Sequence, residues 1–150
     1  MSKRKLRGRS SSKCPITFAL DVFGDKWSLI ILRDMLFKRK KYYGEFLDSA
    51  EKISTNILAD RLSKMEAEGI ISKTHDPQNL SKYLYCLTQK GKDLLPLLLE
   101  MVQWSAKYNP QDSVSDAIIS GAPANLIKRF NRDRDALLAE ILSKVEQVNE

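Results

Sequence analysis

Four side chains in the stretch ISTNILADRLSKMEAEGII, residues 53–71, have the chemistry to meet base edges of a nucleic acid. Asn56 can pair bidentately with adenine, and Ala59 or the methyl of Thr55 can meet a thymine methyl. Ser63 adds a hydroxyl on the same side. Around them are groups suited to phosphate oxygens: Ser54, Arg61 and Lys64 within the stretch, Lys40 and Lys41 before it, and Lys82 after it. Lys38–Lys41 read equally well as a solvated turn. Arg61 lies beside the apolar stripe and equally suits an ion pair with Glu45 or Glu66. Cys14 follows Lys13 and directly precedes a helix start, two features that favour a thiolate. Other chemistry is poorly supplied. His75 is the one histidine, and with two separated cysteines it cannot assemble a usual zinc site. The sequence carries no Gly-rich phosphate loop, no Ser/His/Asp grouping and no paired-carboxylate signature. No catalytic residue, cofactor or metal is expected.

These side chains need a helix that is apolar behind and small or polar in front. Leu58, Leu62 and Met65 recur at helical spacing, Ser54 suits the N-cap, and Gly69 suits a left-handed C-cap. With Leu58 at 0° and about 100° per residue, the core-facing set clusters between about −20° and 40°. Asn56, Asp60, Ser63 and Ala67 point the opposite way, flanked by Ala59 and Lys64. Before this helix the pattern predicts a helix from Pro15 to Gly24, a second over 25–37 and a short third over 44–50. After it come strands over 70–74 and 82–87, joined by the turn residues Asp76-Pro77-Gln78-Asn79. Thr88 is expected to cap one long fifth helix reaching Tyr108, kinked at Pro96. A helical piece over 114–120 and one last amphipathic helix carrying Ile127, Phe130, Leu137, Leu138, Ile141, Val145 and Val148 complete the chain.

The fold class is therefore mainly α with a small β-hairpin, a winged helix-turn-helix with extra C-terminal helices. In that fold the second helix of the turn motif lies in the DNA major groove, and the hairpin is the wing beside it. Charge suits a polyanionic partner and equally a solvated leader that only aids solubility. The chain of 150 residues carries a formal +6, and residues 1–13 hold six basic side chains and no acid. The surplus thus equals the charge of this N-terminal arm, and the body is near balance. The expected organisation is a basic disordered arm over 1–13, a DNA-binding domain over 14–108 and a helical extension over 109–150. Two cysteines make no disulfide framework, and no apolar run approaches a membrane span, so a cytoplasmic protein is expected.

Two stretches, CPITFALDVFGDKWSLIILRDM and ISTNILADRLSKMEAEGII with the following YLYCLTQKGKDLLPLLLEMVQW, resemble the HxlR-type winged-helix regulators over about residues 14–108. Cys-Pro at the start, the Gly24-x-Lys26-Trp27 step, Arg61, Gly69, Thr88, Gly91 and Pro96 fall where that pattern expects them. The resemblance implies a transcription regulator that binds double-stranded DNA. It also implies a homodimer built from the first and fifth helices. Separately from the resemblance, which ends near residue 108, the apolar stripe of the last helix predicts that it folds back onto the dimer and enlarges the interface. Some members of that family sense oxidants through the cysteine of the Cys-Pro step, which makes Cys14 a candidate sensor. The chain departs from the pattern at Asn56, where a basic residue is common, and at Tyr42, where arginine is usual. Its wing tip has a single lysine. Two other classes stay open on sequence: a winged-helix module that binds protein and not DNA, and a non-specific nucleic-acid architectural protein driven by the arm. The operator, the effector and the sign of regulation are not legible.

Overall fold

The structure, a computed structural model, describes residues 11–109, 122–123 and 125–147. Its elements in chain order are α1 (Pro15–Phe23), α2 (Lys26–Leu36), α3 (Tyr43–Leu47), α4 (Thr55–Ala67), β1 (Ile71–Asp76), β2 (Asn79–Leu87), α5 (Gln89–Lys92), α6 (Leu95–Tyr108), α7 (Leu126–Arg132) and α8 (Arg134–Gln147). The architecture is mainly helical with one antiparallel hairpin, in which Ile71 pairs with Leu87 and His75 with Tyr83. The strands run longer than their alternation predicts, because the turn tightens until Asp76 faces Asn79.

The apolar periodicities place the core. Ile31, Leu32, Met35 and Leu36 of α2 meet Leu58, Leu62 and Met65 of α4, with Phe46 of α3 and Ile70 beside them. Leu58 is wholly buried, so truncating it to alanine should cost about 2–5 kcal/mol. α2 is the central helix and packs against α4, α6 and α8.

The α4 termini are made by local chemistry. The Ser54 hydroxyl accepts the Ile57 N–H at 3.3 Å. At the other end Gly69 takes φ +73°, a conformation that favours glycine, and the Ile70 N–H donates to the Met65 carbonyl at 2.9 Å. Gly91 answers a different demand, since a Cβ there would meet the Ile70 carbonyl oxygen at 2.3 Å.

Two helices expected to be continuous are broken. Thr88 does act as an N-cap, accepting the Gly91 N–H at 3.2 Å, but the helix it starts ends at Lys92. A new helix begins at Leu95, so Pro96 falls in a first turn, where its missing N–H costs nothing, and produces no internal kink. The last amphipathic segment is also two helices, separated at Asp133, whose carboxylate accepts the Ala136 N–H at 3.1 Å. Leu126, Phe130, Leu137, Ile141 and Val145 enter the same core as α2. Val148, the piece expected over 114–120, and residues 1–10 of the arm lie outside the described residues. Among the described residues no helix is long and apolar enough to cross a membrane, and no group of three or more His, Cys, Asp or Glu side chains could hold a metal ion.

Candidate nucleic-acid interface

α4 is held from three sides by groups outside its own apolar stripe. The Tyr43 hydroxyl donates to the Thr55 carbonyl at 3.0 Å, fixing the helix start. Lys90 donates to the Glu68 carbonyl at 2.6 Å and occupies the helix end, where a cation is favoured. Midway, Arg61 donates through Nε to Asp25 Oδ1 at 2.9 Å and through Nη1 to Asp60 Oδ2 at 2.6 Å. Asp25 in turn caps α2, accepting the Ser28 N–H at 2.9 Å and its hydroxyl at 2.6 Å. Burial alone would raise the Asp25 carboxyl, but Ser28 and Arg61 together outweigh it and hold the group below the usual carboxylate range.

The face turned away from the core is open. Thr55, Asn56, Ala59 and Asp60 are exposed and Ser63 is half-exposed, so no described part of the chain covers the face they form. The hairpin flanks this face. Its base is tied to the turn before α3, because the Tyr42 hydroxyl donates to Asp76 at 2.9 Å and the Tyr85 N–H donates to the Lys41 carbonyl at 2.8 Å. Lys41 and Lys82 stand 5.6 Å and 5.7 Å from the centre of the Tyr42 ring, one from the turn and one from the wing.

The expected phosphate ligands thus divide. Lys64 lies on α4 itself, and Lys41 and Lys82 gather at Tyr42 by the base of the hairpin, with Lys82 exposed and the other two half-exposed. Lys40 is drawn inward: its ammonium lies 2.9 Å from Asp34 Oδ2 and 3.3 Å from the Asp48 carbonyl. Asp34 is almost wholly buried and also receives Arg33 at 2.7 Å, and Arg33 continues to Glu51 at 2.5 Å. Arg33 holds the Glu51 carboxyl at about 2, far below its ordinary value. Arg61 pairs with Asp25 and Asp60, not with the Glu45 or Glu66 expected from spacing. The Ser54 hydroxyl is used as the helix cap. Sequence reasoning missed Asp25 as a hub because its partner Arg61 lies 36 residues along the chain, and missed Asp34 because its partners Lys38 and Lys40 read as solvent-facing cations of a basic turn.

Away from this face, two apolar rows lie open. Ile16, Phe18 and Leu20 on α1 and Leu97, Met101, Trp104 and Tyr108 on α6 are all exposed. The α6 set falls at i, i+4, i+7 and i+11, one continuous stripe. Cys14 sits at the N-cap of α1 and is exposed. Its thiol is pulled below its ordinary value by the Thr17 backbone, the Thr17 side chain and the Ile16 backbone. Cys86 is half-buried, and burial pushes its thiol up against the opposing pull of Lys41 and Lys92.

A three-helix head with a helix-turn-helix, followed by a hairpin beside an open second helix, defines a winged helix-turn-helix protein. The family described as HxlR-like helix-turn-helix matches residues 22–113. An uncharacterized HTH-type transcriptional regulator of Synechocystis is 32% identical over 112 residues, covering 75% of this chain and 82% of that one. The HTH-type regulator YybR of Bacillus subtilis is 35% identical over 104 residues, 69% of this chain and 82% of its own. Among solved structures, the redox regulator HypR in its oxidized form superposes with TM-score 0.56 and 32% identity, covering 63% of this chain and 96% of that one. YodB of B. subtilis in its reduced form gives TM-score 0.51 and 25% identity, covering 67% and 98%. The chain belongs to the HxlR-like helix-turn-helix family, whose members are transcription regulators.

Proposed function

We propose that the protein is a homodimeric, sequence-specific regulator that binds double-stranded DNA. The observation that carries this is the open face of α4, where Thr55, Asn56 and Ala59 are exposed and Ser63 is half-exposed. These four meet base edges, while Ser54, Lys41, Lys64, Lys82 and the basic arm over 1–13 meet phosphates. Lys40 and Arg61 act chiefly as braces that hold α2, the turn and α4 in register. The apolar rows of α1 and α6 form the dimer contact, and two α4 helices enter successive major grooves about 34–36 Å apart. Regulation is steric: bound dimer blocks polymerase or, placed upstream, recruits it. The protein acts in the cytoplasm and performs no catalysis.

Selection of bound sites from a random duplex library tests this. A palindromic motif with half-sites one helical turn apart is expected. Binding without any preferred sequence would overturn the reading in favour of an architectural protein, and absence of duplex binding would favour a protein-interaction module. Deleting residues 1–13 should weaken binding and lower its salt dependence while leaving sequence preference intact.

Oxidant sensing at Cys14 is a second reading, favoured by its exposure and lowered pKa at the start of a proposed dimer helix. The thiolate attacks one oxygen of a peroxide and the O–O bond breaks. Sulfur becomes the sulfenic acid, and the departing hydroxide takes a proton to leave as water. Mass spectrometry after limiting peroxide should find Cys14 oxidised before Cys86, and Cys14→Ser should abolish any response of DNA affinity to peroxide. Equal oxidation of both cysteines would remove this reading.

A further inference from the structure

We infer that Asp60 is a specificity-determining residue that reads the exocyclic amine of a cytosine. The inference rests on the DNA-binding reading above and deepens it. Asp60 projects from the same side of α4 as Asn56 and Ser63, and it is the one acid in the first two turns of that helix. An exposed carboxylate directed at a polyanion is unfavourable unless it finds a donor there. The major groove offers few. Guanine presents two acceptors, thymine an acceptor and a methyl, and adenine an amine beside the N7 acceptor. Cytosine presents its N4 amine as a donor, so a carboxylate discriminates for it.

The side chain is also positioned. Asp60 Oδ2 receives Arg61 Nη1 at 2.6 Å, and Arg61 Nε is bonded to Asp25 Oδ1 at 2.9 Å. Asp25 is anchored by both the N–H and the hydroxyl of Ser28, a residue with no exposed surface. A relay therefore runs from the core through Ser28, Asp25 and Arg61 to the carboxylate on the reading face. Asp60 Oδ1 carries no protein hydrogen bond among the described residues and keeps its acceptor capacity. The guanidinium offsets part of the negative charge that would otherwise repel phosphate. An adjacent, exposed ion pair of this kind contributes little to stability, so folding alone gives weak reason for an acid here.

The test is site selection followed by affinity measurement on wild-type, Asp60→Ala and Asp60→Asn dimers, each first checked by circular dichroism and thermal melting. Wild type should select cytosine at one symmetric position of each half-site, and replacing that base should weaken binding about tenfold. Asp60→Ala should lose preference at that position alone while raising affinity for unrelated duplex. Asp60→Asn should shift the preference there toward adenine. One unchanged motif in all three proteins would overturn the inference, and so would a change spread over the whole motif, which would make Asp60 a residue that only positions the helix. A wild-type protein that selects nothing would instead overturn the DNA-reading proposal beneath it.

Discussion

Replacing Asp25 with alanine should cost far more than replacing Arg61, although the two side chains share one ion pair. Arg61→Ala removes the 2.9 Å bond to Asp25 and the pair with Asp60. The first joins two side chains about a quarter exposed, at 29% and 27%, so solvent screening brings it to about 1 kcal/mol. The second involves an exposed partner and adds little. Asp25→Ala removes the same bond, but it also removes the α2 N-cap, worth about 1 kcal/mol. It further strips the acceptor from the Ser28 hydroxyl, which is fully buried, at a cost of about 1–3 kcal/mol. The expected losses are therefore about 1 kcal/mol for Arg61→Ala and about 3–5 kcal/mol for Asp25→Ala. A double-mutant cycle should return a coupling near 1 kcal/mol. Urea denaturation of the four proteins at one dimer concentration measures all of this. Equal losses for the two single variants, or a coupling of zero, would refute the placement of Asp25 as hub. Arg61→Ala should also leave the salt dependence of DNA binding unchanged, because a brace releases no counterion.

Protonation of Glu51 should erode stability in acid. Its folded-state value of about 2 lies below the ordinary carboxylate value, so the Arg33–Glu51 contribution is complete above about pH 4.5 and is lost as pH falls toward 2. At this half-exposed site it amounts to about 1 kcal/mol, and Glu51→Gln should flatten that part of a pH–stability profile. Introducing aspartate at Met101 or Trp104 should weaken dimerisation at least tenfold by analytical ultracentrifugation while leaving the monomer folded, since both side chains are exposed. Gly91→Ala should destabilise by about 2–4 kcal/mol in thermal melts, because its Cβ would overlap the Ile70 carbonyl. A chain ending at Tyr108 should lose cooperative unfolding, not merely dimer affinity. It lacks five buried side chains worth about 1.5–3 kcal/mol each before entropy is counted, and it uncovers α2.

Short-range signals were legible in the sequence. Ser54, the Leu58–Leu62–Met65 row and Gly69 bound α4 within one residue of its observed limits, because cap, stripe and stop are all local. The breaks were hidden for a physical reason. Phe130 and Leu137 are seven residues apart, so the apolar stripe runs unbroken through Asp133 although the backbone does not. At Pro96 the periodicity suggested an interior position, but restarting the helix at Leu95 removes the penalty that an interior proline carries. The ion pairs were illegible for a different reason. On its own helix Arg61 has only Asp60 and Glu66 for acids, and it is the packing of α2 across α4 that brings Asp25 to it.

The destination of the charges explains how a body with so little net charge can still address DNA. Asp34 draws Arg33, Lys38 and Lys40 together, and Asp25 takes Arg61, so much of the basic character around the helix-turn-helix holds the head rigid. Lys41, Lys64 and Lys82 are left at the rim as the body's share of phosphate contacts in the proposed complex. Three such contacts give only a shallow salt dependence, and the six basic residues of the arm would raise it about threefold if all were engaged. The proposed complex thus assigns affinity and sequence preference to different parts of the chain: the arm would supply most of the counterion release, and the braced face of α4 the discrimination.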